Sequence, residues 1–276
     1  MNIRNFVIFV IPLGILFWPL SLFLANTPSD FLSYFLPVIF ILLSFLIYKK
    51  QWNFYQIPIL FIPIVEPKLT LFPVVFLLTD LIFGHREKTK IIFLIISTIL
   101  LFVFWKPLWG QTIFIKDYEA RQEVIRDTQL YPSIFLARTF HNKARIIVDK
   151  FIFNFFALTD PNNYFFGFAP RQIVNNQNLV KFPFFAIVFV FYGLFFIRKA
   201  ENKKFITLVF LSSIISLSIL SIFDRNDFVL WIPMALLFIH GVNLFTKKYK
   251  FSFWILVLFI IFTIPELLRI VLQYSR

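Results

Sequence analysis

Long apolar runs separated by short charged turns constrain this chain more than any other feature. Phe6–Leu24, Phe31–Tyr48, Ile91–Trp105, Phe182–Ile197, Phe205–Phe223 and Phe228–Phe245 contain no Asp, Glu, Lys or Arg. A last run starts at Phe251 and reaches Pro265, followed by the tail Glu266–Arg276. These runs are apolar on all sides, without the one-sided stripe of a soluble helix. At about 1.5 Å of rise per residue, about 20 such residues cross a hydrocarbon core of roughly 30 Å. Only 15% of the residues are charged and 59% are hydrophobic, whereas a soluble domain carries about 25% charge. The pattern predicts an all-α, polytopic transmembrane protein with about seven full spans, a short-helix hairpin and a partly helical external segment.

The hairpin comes from Phe54–Val65 and Leu69–Phe83, two apolar pieces split by Glu66-Pro67-Lys68. At roughly 18 and 22 Å they fall short of the hydrocarbon core. They read as a re-entrant or shielded pair, with two tilted spans in a thin region as the alternative. The first run is too long for a signal-peptide core, and Ala25-Asn-Thr-Pro28 is a poor cleavage site, so it reads as an uncleaved span. Three regions follow: 1–105, amino-terminal and transmembrane with the hairpin at 54–83; 106–181, external and interfacial; and 182–276, carboxyl-terminal and transmembrane.

Charge sets the sidedness. Lys49-Lys50, the basic residues of 85–90, those of 198–204 and those of 246–250 fall on one side of the spans. The opposite turns hold no basic residue at 25–30 and Arg225 alone at 224–227. The positive-inside rule then places the amino terminus in the cytoplasm, with a multi-pass location in the cell inner (plasma) membrane. The 106–181 segment exceeds the loop length to which the rule applies. Because the net charge of +13 sits largely beside apolar spans, it points to anionic lipid and not to nucleic acid. The 43 phenylalanines read as lipid-facing composition.

Within 106–181, Asp117–Leu130 alternates charge like a solvated helix, and Pro132 stops it. Pro132–Phe140 reads as a short amphipathic piece. Lys143–Leu158 reads as an interfacial helix with a basic entry, ended by Thr159-Asp-Pro161.

The chain has no cysteine, which excludes thiol chemistry and disulfides. It lacks the phosphate-binding glycine loop, HExxH, GxSxG and GxxxG patterns. His85, His141 and His240 are too dispersed for a metal site, and neither metal nor cofactor is expected. Glu66, Asp80 and His240, with Asn243, are the polar residues inside apolar stretches that need partners. Glu66 is expected to pair with Lys68, while Asp80 and His240 lie near cytoplasmic ends where water is within reach. On the external side Arg225, Arg138, His141, Asn142 and Lys143, with Arg171, are candidates for a lipid or donor phosphate. The external carboxylates are Asp30, Asp117, Glu119, Glu123, Asp127, Asp149, Asp160, Asp224 and Asp227. Spacing singles out none of them as a catalytic base.

Leu71-Phe-Pro-Val-Val-Phe-Leu-Leu78 after Glu66-Pro-Lys68, the external Arg138-Thr-Phe-His-Asn-Lys143, and Asp224-Arg-Asn-Asp-Phe-Val-Leu-Trp-Ile-Pro233 leading to Gly241 form one pattern. It resembles the middle and carboxyl-terminal parts of membrane-embedded GT-C-type glycosyltransferases, in particular bacterial relatives of dolichyl-phosphate-mannose–protein mannosyltransferases. The resemblance spans residues 31–245. It implies hexosyl transfer from a polyprenyl-phosphate sugar at the external face in envelope assembly, with Arg225 facing the donor phosphate. Family members carry an acidic residue in a long first external loop, whereas here that turn is Ala25–Asp30 with Asp30 its sole acid. The catalytic residue is therefore unassigned. The resemblance implies a chain without the family's amino-terminal catalytic part, or one served by a partner membrane subunit. The alternatives are a non-catalytic membrane scaffold or lipid-phosphate binder and, third, a transporter. Membrane lipid is the expected partner in each case.

Overall fold

The computed structural model describes residues 31–52, 54–84, 87–128, 133, 135, 142–166, 182–221, 227–248 and 252–274. The first apolar run, the turn at 25–30 and the Pro132–Phe140 piece apart from residues 133 and 135 lie outside them. The described residues are helical, with no strand beyond one isolated bridge between Thr112 and Leu220.

Helix α1, Phe31–Lys49, places Lys49 in its last turn, where a cation complements the helix dipole. It closes through Gln51, held at φ 58°. The Gln51 amide bonds to the Tyr48 carbonyl (2.9 Å) and that of Trp52 to the Ile47 carbonyl (3.3 Å), the paired closure of a left-handed cap.

Prolines dictate the next stretch. Pro58, Pro63 and Pro67 each stand at the first or second position of a new turn, where their missing N–H costs nothing. A continuous helix is thereby split into α2 (Ile57–Leu60), α3 (Ile62–Val65) and a 3₁₀ turn (Pro67–Leu69). Helix α4 (Leu71–Phe83) returns from it. Thus the region of the expected hairpin is built of short helical pieces.

Helix α5, Lys88–Trp109, is apolar all round. Ile91, Ile92, Ile95, Ile99, Phe102 and Val103 point outward, and the Lys88–Trp105 stretch is only 11% buried. The bundle centre is α9 (Lys203–Ser218), which packs against α4, α7 (Lys143–Thr159) and α10 (Trp231–Lys248). Ser212, Ser213 and Ser218 on α9 are buried, and their hydroxyls donate to carbonyls one turn back at 2.6–2.7 Å. A buried hydroxyl satisfied by its own helix needs no water.

The most extensive helix pairing joins α8 (Ala186–Phe195) to α10. It depends on two glycines. A Cβ at Gly193 would lie 2.1 Å from the Leu237 carbonyl oxygen, and one at Gly241 would lie 2.0 Å from that of Phe189. Only hydrogen fits at either place. Phe189 then meets Phe238, Phe245 and Phe259 edge-on at 5.5–5.7 Å.

Two elements differ from the reading of the sequence. The Phe182–Ile197 run forms a helix only over Ala186–Phe195, since Pro183 delays its start and a 3₁₀ turn at Ile197–Lys199 ends it. Helix α11, Ser252–Tyr274, continues past Pro265, where the last apolar run ends, into the expected tail. Proline forfeits one hydrogen bond there, which a long apolar helix tolerates. Two described helices, α5 and the Asp227–Lys248 segment that includes α10, are long and apolar enough to cross a membrane.

Candidate functional site

Helix α6 (Asp117–Thr128) and α7 form an amphipathic pair over a small apolar cluster of Ile115, Ala120 and Ile146. Asp117 and Glu119 stand in the first turn of α6 and Arg126 in its last, the order its dipole favours. Asn142 starts α7 by accepting the Arg145 amide at 2.9 Å. The pair is stitched to the bundle. The Ile113 amide bonds to the Ile219 carbonyl at 2.9 Å, and that of Ser221 to the Gln111 carbonyl at 2.8 Å. Asn154 of α7 donates to the carbonyls of Ser218 and Leu220 at 3.1 and 2.7 Å, capping the carboxyl end of α9.

Between this pair and the bundle lies an open cleft of about 840 Å³. Glu119 and Glu123 enter it from one face of α6, being four residues apart. Asp149, Lys150 and Phe153 enter from α7, and Trp109, Phe114 and Lys116 line the bundle side. Trp109 and Phe114 stack with centroids 5.3 Å apart and planes 7° from parallel. The charges are unequally committed. Lys150 approaches Glu123 at 3.5 Å and Arg145 approaches Asp149 at 2.9 Å. Glu119 and Lys116 form no ion pair with another described residue. Among the described residues the cleft therefore offers one carboxylate and one ammonium without an ion-pair partner, and a flat aromatic wall, a set suited to a polar ligand with a ring face and an anionic group.

Of the five phosphate candidates, Arg225, Arg138 and His141 lie outside the described residues, as do Asp30, Arg171 and Asp224. Asn142 and Lys143 do not line the cleft. Asn142 caps α7, and the Lys143 ammonium ion-pairs with Asp117. That ammonium holds the exposed Asp117 carboxyl below the usual aspartate range.

A second polar cluster surrounds Asp80, and it overturns the expectation that this residue reaches water. Asp80 is fully buried. Lys204 Nζ stands 2.6 Å from Oδ1 and Lys90 Nζ 3.4 Å from Oδ2. Tyr55 and Gln56 donate to Oδ2 at 2.6 and 2.9 Å. Rings of Tyr48, Tyr55, Phe76 and Phe205 close around the group. Gly84 allows the approach of Lys204, since a Cβ there would lie 2.6 Å from its Nζ. The two lysines come from the basic runs at 85–90 and 198–204, so part of that charge ties α4, α5 and α9 together. Glu66 caps the 3₁₀ turn by accepting the Lys68 amide at 3.3 Å, a contact with the backbone of Lys68. His240 Nε2 lies 3.1 Å from the Phe196 carbonyl, to which it donates.

The cleft was hidden from sequence reasoning because its charges come from two helices separated by an intervening segment. The four-residue spacing of Glu119 and Glu123 sets both on one face of α6 but by itself marks no cleft. The Asp80 cluster needs residues 55, 56, 90 and 204 to converge, and no local pattern announces that. Among the described residues no three His, Asp or Glu side chains converge on a metal position. No protein-family model matches the chain, and neither a curated protein nor a solved structure matches it.

Proposed function

We propose that the protein is a polytopic membrane protein of the GT-C-like type, transferring a sugar from a polyprenyl phosphate at its external face. The single observation that supports this reading is the cleft, in which Glu119 and Lys116, unpaired among the described residues, flank the Trp109–Phe114 wall. Helix α5, apolar and exposed on nearly every side, supports a lipid surround for the bundle. In this reading Glu119 removes the proton from the acceptor hydroxyl, whose oxygen attacks the sugar's anomeric carbon. The carbon–oxygen bond to phosphate breaks, and polyprenyl phosphate leaves with the electron pair beside Lys116. The aromatic wall holds the sugar ring.

The test is transfer from a radiolabelled polyprenyl-phosphate sugar to membrane acceptors by protein reconstituted in liposomes. Glu119→Gln is expected to lower the rate by about 100-fold or more, the usual worth of a positioned base. Arg225→Ala is expected to weaken donor binding. No transfer and no donor binding would sink the proposal. Donor binding without transfer would favour the second reading, a lipid-phosphate-binding scaffold, which the local use of Asn142 and Lys143 leaves to Lys116 and Arg225.

A further inference from the structure

At the opposite end of α9 from the cleft lies a second cavity, of about 390 Å³. Phe83 from the end of α4, Ile197 and Arg198 from the 3₁₀ turn, and Lys203, Lys204, Thr207 and Leu208 from α9 line it. No carboxylate is among these lining residues. Lys204 is committed to Asp80, but Arg198 and Lys203 are exposed and form no ion pair with another described residue. The nearest acid in sequence, Glu201, is exposed and does not line the cavity. Asn202 precedes this 16-residue helix without a side-chain cap, and of the first-turn amides that of Lys203 bonds to the Ala200 carbonyl at 3.3 Å. Phe83 of the apolar wall is 62% exposed, and Ile82 beside it in sequence is 74% exposed.

We propose that this cavity binds the phosphate of an anionic phospholipid, its acyl chains running along Ile82 and Phe83. Two cations that form no ion pair among the described residues, a threonine hydroxyl and a helix amino terminus match a phosphate diester. The apolar continuation favours a lipid over a free anion. The proposal rests on the membrane reading above, which places the basic turns at the cytoplasmic surface, and it is independent of sugar transfer.

The experiment is native mass spectrometry of the full chain in detergent, titrated with phosphatidylglycerol, phosphatidylcholine or inorganic phosphate. Wild-type protein is expected to retain phosphatidylglycerol about tenfold more tightly than phosphatidylcholine. Arg198→Gln with Lys203→Gln is expected to abolish that preference. Lys247→Gln with Lys248→Gln, in another basic turn, is expected to keep it. Thr207→Trp, which fills the cavity and keeps the charges, is expected to remove retention and serves if the double variant fails to fold. Equal retention of both lipids, an unchanged preference in the double variant and in Thr207→Trp, or full displacement by equimolar inorganic phosphate would each overturn the site. A protein recovered from cells in the aqueous phase without detergent would instead overturn the membrane reading, and intact transfer activity with no lipid preference would remove this site alone.

Discussion

Asp80 is the residue whose replacement should cost most. Its carboxylate is fully buried between two ammonium groups, and Lys90 is itself only 6% exposed. Asp80→Asn keeps the shape but takes the carboxylate away from Lys204 and leaves Lys90 with Glu87 at 4.0 Å. Breaking a buried pair by removing one partner costs about 3–5 kcal/mol. Tyr55→Phe removes one hydrogen bond to the carboxylate and should cost about 1.5–3 kcal/mol. Thermal unfolding in detergent checks both, and equal small shifts would contradict the ranking. Asp117 lies at the other extreme. Its folded value is depressed by Lys143, so its contact is complete above the unfolded value of about 3.9 and is lost as pH falls through the lower folded value. Because the group is exposed, little stability change is expected. Lys143→Met should raise the Asp117 titration midpoint toward the usual aspartate range, measured by carboxyl-carbon NMR. An unmoved midpoint would mean that the ion pair does not form in solution.

Two elements carry the architecture. The Gly193–Gly241 contact sets the spacing of α8 and α10, because each position faces a backbone carbonyl that no rotamer change can move. Either glycine to alanine is expected to force the helices apart and destabilise the protein by at least about 3 kcal/mol, the overpacking range or above. Gly110→Ala, where a Cβ meets nothing within 4 Å, is the matched control and should be near neutral. The sequence shows both critical glycines but not their partnership, since the close-packing signal sought was GxxxG within one helix. Here each helix contributes one glycine and a carbonyl four residues before it. The break at Glu66-Pro67-Lys68 was legible, because Pro67 acts through local stereochemistry, whereas the further division of Phe54–Val65 at Pro58 and Pro63 was not read. Helices α6 and α7 were legible from the alternating charge of Asp117–Leu130 and from the basic entry to the apolar run of Lys143–Leu158. The true extent of α8 and the course of α11 through Pro265 were not, since apolar composition alone marks no helix end.

For the whole molecule, the proposed membrane arrangement has α6, α7 and the polar cleft on the external side and the basic turns in the cytoplasm. The Asp80 cluster adds a physical point to the charge count. Lys90 and Lys204 belong to the basic runs from which the proposed sidedness is read, yet both are engaged with Asp80 inside the fold. Sidedness then rests on the remaining cations at 49–50, 85–88, 198–203 and 247–250. The absence of native cysteine makes topology directly measurable. Single cysteines at Ala144→Cys on α7 and Glu201→Cys before α9, both exposed positions, would be treated in intact cells with a membrane-impermeant maleimide. The account expects Ala144→Cys to label from outside, and Glu201→Cys to label only after the membrane is permeabilised. Labelling of Glu201→Cys in intact cells with Ala144→Cys protected, or both sites protected until permeabilisation, would contradict it.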